Sequence, residues 1–402
     1  MPERISTLQI YQTGIAQILE RQAELARTRD ELSTGRRLLS AVDDPAAAVR
    51  VLDIEQDLRE VDQFQRNAAL AEGQLSLQDR TLSNITRVLR RVRELTVQAN
   101  NATQGPEQRA GIARELDSRL NELAALANTR DANDEYIFGG FQARSQPFTA
   151  AGGAFTYRGD DGQRFLDIAA GSQVAVRDSG RRVFLDIPAG NGRFDFSVSG
   201  NTGTAVVAEA SADSRFVRGD YRIDFAQAKP ADPLTYKVLD RADKVVAEGE
   251  YRSGAAIAFN GARVVVTGKP ADGDAIRIDG AASRSMFATV SKIAAALRGA
   301  SGSPASDAEV HNALASGLYN LDQAIGNVLD VRADVGSRLN RVDAQRAINA
   351  EFNVQLKQTL SEVRDLDYTE AASRLKLQLF ALRAAQQTFA STAQRLSLFN
   401  YL

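Results

Sequence analysis

Apolar positions at both ends of the chain recur in alternating steps of three and four. In the first segment Leu8, Tyr11, Ile15, Ile18, Leu25 and Leu32 form such a series, with Gln22 and Arg29 in the remaining slots. In the last segment Leu375, Leu379, Leu382, Phe389, Ala393 and Leu396 repeat the alternation around one polar residue, Gln386. That spacing is a heptad seam, a narrow stripe that buries itself against a partner helix. Two matching seams separated by the whole chain predict an antiparallel terminal pair. Everything between them becomes an excursion that leaves and returns to one place.

The first helix should close at Gly35, because glycine accepts the left-handed conformation that ends a helix. Asp44 then reads as an N-cap, with Pro45 in the first turn of a second helix. Val51, Leu58, Leu75, Leu82, Ile85, Leu89, Val92 and Ala99 mark its buried side. At ~1.5 Å per residue that helix would be roughly 80 Å long, too long to be stable singly. After the loop Asn100–Pro106 a third helix carries Ile112, Leu116, Leu120, Leu123 and Ala127, and Tyr136–Phe141 reads as a short strand. From about 143 to 280 helical periodicity gives way to short alternating runs such as Tyr221–Phe225 and Arg263–Val266, with Asp–Gly turns between them. Helices resume at Ser285. A capping box at Ser306 and Glu309 opens a very long helix, lined from Leu314 to Leu360. Asp367 and Glu370 cap the last one.

The expected fold is mainly α with an inserted β domain: a long helical-bundle rod, a terminal antiparallel coiled-coil pair and a β-rich outer domain. Residues 1–40 with 367–402 form the pair, 41–142 with 283–366 the rod, and 143–282 the insertion. The ends of the insertion must then lie close together.

A formal net charge of -2, with both signs dispersed, lacks the basic face of a nucleic-acid binder. The chain has no cysteine and one histidine, His311, which its position in a first helical turn makes a solvated residue. A histidine-ligated metal centre or a serine–histidine triad would have to be built around it. Adjacent Asp43 and Asp44 suit a helix cap better than a catalytic pair. The Asp–Gly clusters lack the closing glutamate of an EF-hand, and neither a phosphate loop nor a nucleophile elbow is present. No catalytic residue, metal or cofactor is implied. No apolar run reaches 18 residues, so no membrane span is expected. The first residues lack the apolar core of a secretory signal, which predicts either a cytoplasmic protein or export without a cleavable signal.

Several strings resemble one family. Arg4–Tyr11, Leu32–Leu38 with Asp43–Ala46, Ala127-Asn128 with Tyr136–Gly140, and Gln386–Phe389 are similar, in that order, to the flagellin superfamily. The similarity covers about the first 185 and the last 120 residues and is loose over the insertion. Within the superfamily Leu396–Leu402 points to a subunit between hook and filament, a minor flagellin filament subunit being the alternative. The resemblance implies a structural, non-enzymatic protein of the bacterial flagellum, exported unfolded by the flagellar type III apparatus with an export chaperone. It would assemble with itself into a ring between a neighbouring hook-associated protein and flagellin. The expected assembly interface is Leu8, Tyr11, Ile15, Ile18, Leu25, Leu32, Leu375, Leu379, Leu382, Phe389, Leu396 and Phe399. Outside the superfamily, an enzyme on the β domain lacks a catalytic motif, and a coiled-coil adhesin or sensor lacks an anchor.

Overall fold

The computed structural model describes residues 7–101, 104–151, 154–229 and 232–398. Its helices are α1 Thr7–Thr34, α2 Pro45–Ala99, α3 Pro106–Ala127, the five-residue α4 Gly180–Phe184, α5 Met286–Arg298, α6 Pro304–Arg364 and α7 Tyr368–Leu398. Between α3 and α5 lie β1 Phe148–Ala151, β2 Ala154–Tyr157, β3 Phe165–Ala169, β4 Ser172–Ala175, β5 Ile187–Pro188, β6 Phe194–Ser197 and β7 Val206–Ala212. They are followed by β8 Tyr221–Ala226, β9 Thr235–Asp240, β10 Val245–Glu250, β11 Ala256–Phe259, β12 Ala262–Thr267, β13 Ala275–Gly280 and β14 Ser283–Arg284. The chain is thus long helices with an inserted β-rich region. It divides into two compact units, residues 67–344 and the two chain ends outside them. α2 and α6 contribute to both.

In the 67–344 unit one core runs through α2, α3, α5 and α6, with Leu82, Leu89, Leu116, Val290, Leu314 and Leu321 buried. Four phenylalanines complete it. Phe148 meets Phe184 edge-on at 5.0 Å, and Phe184 stacks on Phe287 at 5.5 Å. Such offset and edge contacts add to the area the rings bury. The segment expected as a β insertion therefore serves two cores. β1 to β5 and α4 supply Phe148, Ile168, Val174, Phe184 and Ile187 to the helical core. β6 to β13 enclose a separate core that includes Phe196, Val207, Ile223, Val264 and Ile276. In that module the sheets are antiparallel, ordered β10-β9-β8-β13-β6 and β11-β12-β7.

The module is seated on α6 by side chains that imitate a strand. Asn312 Oδ1 accepts from Val207 N–H at 2.8 Å while its Nδ2 donates to Ala205 C=O at 2.8 Å. Two turns on, Asn320 Oδ1 accepts from Gly190 N–H at 2.9 Å. Between them Ser316 Oγ donates to buried Asp195 at 2.8 Å, which Arg284 neutralises at 2.7 Å. The chain enters and leaves at neighbouring points, since Ala189 N–H donates to Ala282 C=O and Ala281 N–H to Arg193 C=O.

Three local expectations are corrected. Tyr136–Phe141 is not a strand; beyond the single bridge of Tyr136 to Arg130 it turns, because Phe138 is drawn into the helical core and Gly140 takes φ +67°. α6 begins at Pro304, not at a Ser306 cap: Ser303 Oγ accepts from Ser306 N–H, leaving proline in the first turn, where its missing N–H costs nothing. His311 is half-buried, with Nδ1 2.6 Å from Asn100 Oδ1. Burial foremost, then the Arg109 cation, holds its pKa below the ordinary value, while Asp307 acts the other way.

Candidate functional site

The terminal helices pair antiparallel. Tyr11 meets Phe389 edge-on at 5.6 Å, and Glu31 of α1 binds Arg374 of α7 at 2.5 Å. Two helices alone make a thin layer, so few residues are buried: Leu25, Thr28 and Glu31 on α1, and Ala371 and Leu382 on α7. Tyr11, Ile18, Leu32, Leu375, Leu379 and Phe389 are half-buried along the same line. Ile15 is 48% exposed, and Gln22, Arg29 and Gln386 point to solvent. Phe399 lies outside the described residues, as do the side chains of Leu8 and Leu396.

The seam thus runs through Gly14, Thr28 and Ala385 where the spacing pointed to Ile15, Arg29 and Gln386. Gly14 admits a ring that a larger residue would push away: a Cβ there would stand 2.6 Å from Phe389. Thr28 can be buried because its hydroxyl donates to Glu24 C=O at 3.1 Å, whereas a guanidinium at position 29 stays hydrated. Glu31 is buried in the pair with Arg374 and Arg27 both within reach of its carboxylate, and Arg27 also binds Asp43 at 2.9 Å. A buried carboxylate without such partners would cost several kcal/mol, on the order of the penalty for an unpaired ion.

Of the strings that carry the family resemblance, Leu32–Leu38 and Asp43–Ala46 form the break between α1 and α2. Gly35 ends α1 at φ +68°, its N–H donating to Glu31 C=O at 2.9 Å. Its own C=O accepts from Leu366 N–H at 3.0 Å, and Arg37 N–H donates to Arg364 C=O at 2.9 Å. The breaks α1–α2 and α6–α7 are thereby tied by a single antiparallel bridge, Arg36 to Asp365. Desolvation would raise the Asp365 pKa; hydrogen bonds with Arg364 and Ser361 outweigh it and hold the carboxyl below the usual range. Asp44 caps α2 through Ala47 N–H at 3.0 Å, and Asp367 caps α7 through Thr369 N–H at 2.8 Å.

Large apolar side chains remain outside on the same elements. Leu377 is 70% and Phe380 73% exposed on α7, and Leu19 is exposed on α1. In the same unit Leu52 on α2 and Ile348, Phe352 and Val354 on α6 are exposed as well. Single exposed leucines are ordinary, but a run of them along thin helices marks a surface for a partner. Among the described residues no helix is long and apolar enough to cross a membrane, and no group of three metal-ligating side chains is gathered.

The sequence reading missed the buried polar groups that hold the other unit together. Asp178, wholly buried, receives two parallel bonds from Arg338, both at 3.0 Å, and others from Arg182 and Gln78. The available signal for the α6 stripe was Asn312, Ser316 and Asn320, small polar residues every fourth position on an otherwise apolar face.

The profile of the bacterial flagellin N-terminal helical region matches residues 5–143, and that of the C-terminal helical region matches residues 318–402. Together these define a flagellin-type subunit, a structural protein of the flagellum. Flagellar hook-associated protein 3 of Escherichia coli K12 is 24% identical over 402 residues, 98% of each chain. The crystal structure of flagellar hook-associated protein 3 from Legionella pneumophila is 33% identical, with a TM-score of 0.74 over 77% of this chain and 98% of that one. FlgL of Xanthomonas campestris is 30% identical, with a TM-score of 0.72 over 77% and 99%. The chain belongs to the flagellin family, in its hook-associated protein 3 branch of non-enzymatic hook–filament junction proteins of the flagellum.

Proposed function

We propose that the chain is the structural adaptor between hook and filament. Copies assemble into a ring that rests on a neighbouring hook-associated protein and offers flagellin a surface to continue from. The chain reaches that place outside the cell through the flagellar export apparatus, with an export chaperone. One observation carries the reading: the terminal pair satisfies its own seam sparsely and leaves large apolar side chains, Leu377 and Phe380 foremost, outside it. A chain without cysteine suits export in an unfolded state, since no disulfide has to form or break.

In this reading Tyr11, Ile18, Leu25, Leu32, Leu375, Leu379, Leu382 and Phe389 hold the pair in register. Ile15 turns towards neighbours, and Leu8, Leu396 and Phe399 extend the interface at the chain ends. A deletion strain tests the function. Loss of the adaptor leaves hooks assembled and flagellin spilled into the medium, whereas a strain that keeps its filaments rejects the reading in favour of a minor flagellin. Leu382→Ala tests the pair. A buried leucine removed costs about 2–5 kcal/mol, so assembly should fail while the thermal transition of the 67–344 unit stays in place.

A further inference from the structure

The five-stranded sheet of the β module ends on one side at β6, and that edge is open. Asp195 and Ser197 stand in register with Asp279 and Arg277 of β13, and Ala281 N–H donates to Arg193 C=O. Arg193, Asp195 and Ser197 therefore turn their backbone groups towards β13. The alternation of an antiparallel ladder turns those of Phe194, Phe196 and Val198 outwards. Phe194 is satisfied by Asn191, which accepts its N–H at 2.9 Å and donates to its C=O at 3.0 Å. Phe196 N–H donates to the Asp195 carboxylate at 2.9 Å. Among the described residues the Phe196 C=O and both backbone groups of Val198 have no hydrogen-bond partner.

A groove of about 400 Å³ runs beside this edge, with α5 and α6 as its other walls. Lys292, Ala296 and Gly299 line it from α5, and Glu309 and Ala313 from α6. Each set has the spacing of one helix face. The alanines and the glycine keep the walls low, so a chain can lie along the edge. Lys292 and Glu309 are both exposed, and among the described residues neither makes an ion pair. They stand at different levels. Ile293, next to Lys292, packs at Gly317, where a Cβ would be 2.6 Å from it. Glu309 lies two turns before Gly317 on α6, about 12 Å, which about three or four residues of an extended chain would span.

We infer that β6 takes an added strand: an extended segment of a separate protein partner, with small apolar side chains against α5 and α6, an acidic residue beside Lys292 and a basic one beside Glu309. The open backbone groups set the form of the occupant. A donor and an acceptor on one residue, Val198, match the C=O and N–H of one strand residue, groups that a helix keeps for itself. The two single charges set its direction, since a segment laid the other way would bring like charges together. The inference goes beyond the adaptor reading and does not rest on it.

A phage-displayed library of random peptides, selected on the purified full-length chain, is the probe. The expected result is enrichment of sequences that carry an acidic and a basic residue about three or four positions apart around small apolar ones. The best of them, made as a synthetic peptide, should lose affinity about tenfold on Val198→Pro, which removes the open N–H. The double variant Lys292→Glu with Glu309→Lys should prefer, again about tenfold, the same peptide with its two charges exchanged. The thermal transition of the 67–344 unit is followed for each variant. If Val198→Pro shifts it, the charge exchange decides alone, because both of its side chains are exposed. No enriched sequence, or one that binds every variant equally, overturns the inference. So does an enriched sequence that occurs in this chain, which would make the occupant a second copy. Whether a deletion strain keeps its filaments has no bearing on these readouts, so the adaptor reading and this one fail separately.

Discussion

At the scale of single residues, removing one partner of a buried ion pair costs far more than removing one partner of a surface pair. Asp178→Ala would leave the largely buried Arg338 cation without a carboxylate partner. Breaking a buried pair on one side costs about 3–5 kcal/mol, which urea unfolding of the 67–344 unit should register. Asp334→Ala, which removes an exposed partner of Arg182, should change the same transition by about 1 kcal/mol or less. Two groups give the unit opposite pH limits. Burial foremost pushes the Tyr157 phenol up to about 12, helped by Asp161 and Asp160 and opposed by the Gly180 N–H and Arg181. An unfolded phenol ionises near pH ~10, so this contribution is complete below that pH and disappears as the pH rises to 12. Tyr157→Phe should remove that alkaline slope from a plot of melting temperature against pH. His311 acts the other way: its pKa is lowered, so its contribution holds above the unfolded value, near pH ~6.5, and is lost as the pH falls through the folded one. His311→Gln should flatten the acid limb. None of this was legible in the sequence. His311 read as solvated because its burial comes from Asn100, far away in the chain.

At the scale of elements, the helix ends were legible and the helix faces less so. Gly35, the Asp44–Pro45 start and the Asp367 cap act within a few residues of themselves, so local spacing reveals them. The strands Tyr221–Ala226 and Ala262–Thr267 were legible for the same reason, since alternation is a property of the strand itself. The phase of α1 was not. Ile15 lost its place on the seam to Gly14 because Phe389 needs the space, and only the partner helix sets that requirement. The Gly35 turn is the sharpest test at this scale. Gly35→Ala forces a Cβ into a left-handed conformation at a cost of roughly 1–2 kcal/mol, and the Tyr368 hydroxyl lies 2.7 Å from the position it would take. Faster amide exchange at Leu366, whose N–H bonds the Gly35 carbonyl, is the expected signature; unchanged exchange would mean that the two helix breaks are not coupled.

At the scale of the whole molecule, the chain should be unevenly stable. α1 and α7 bury so few side chains that their amides should exchange fast in the isolated chain, and slowly once assembled. The α2–α3–α5–α6 core should stay protected in both states, and slow exchange in α1 and α7 of a dilute chain would count against assembly as their source of order. The β module makes a separate prediction. Its entry and exit strands touch at Ala189–Ala282 and Arg193–Ala281, and β13 pairs with both β6 and β8. A deletion that joins Gly190 to Ala281 through a short Gly/Ser linker removes it whole, and the helical transition should survive. Filaments retained by cells that export this variant would make the module a surface addition; flagellin lost to the medium would make it part of the junction. The sequence by itself determined the end of α1 at Gly35, the starts of α2 and α7, that the two chain ends match, and which family the chain resembles, because caps, glycine turns and heptad spacing act over a few residues. Only the tertiary structure decided which face of α1 is the seam, that β1 to β5 belong to the helical core, and that Asn312, Asn320 and Asp178 are buried. Each of those outcomes depends on a partner surface distant in the chain, and a polar side chain is buried only where that surface supplies its hydrogen bonds.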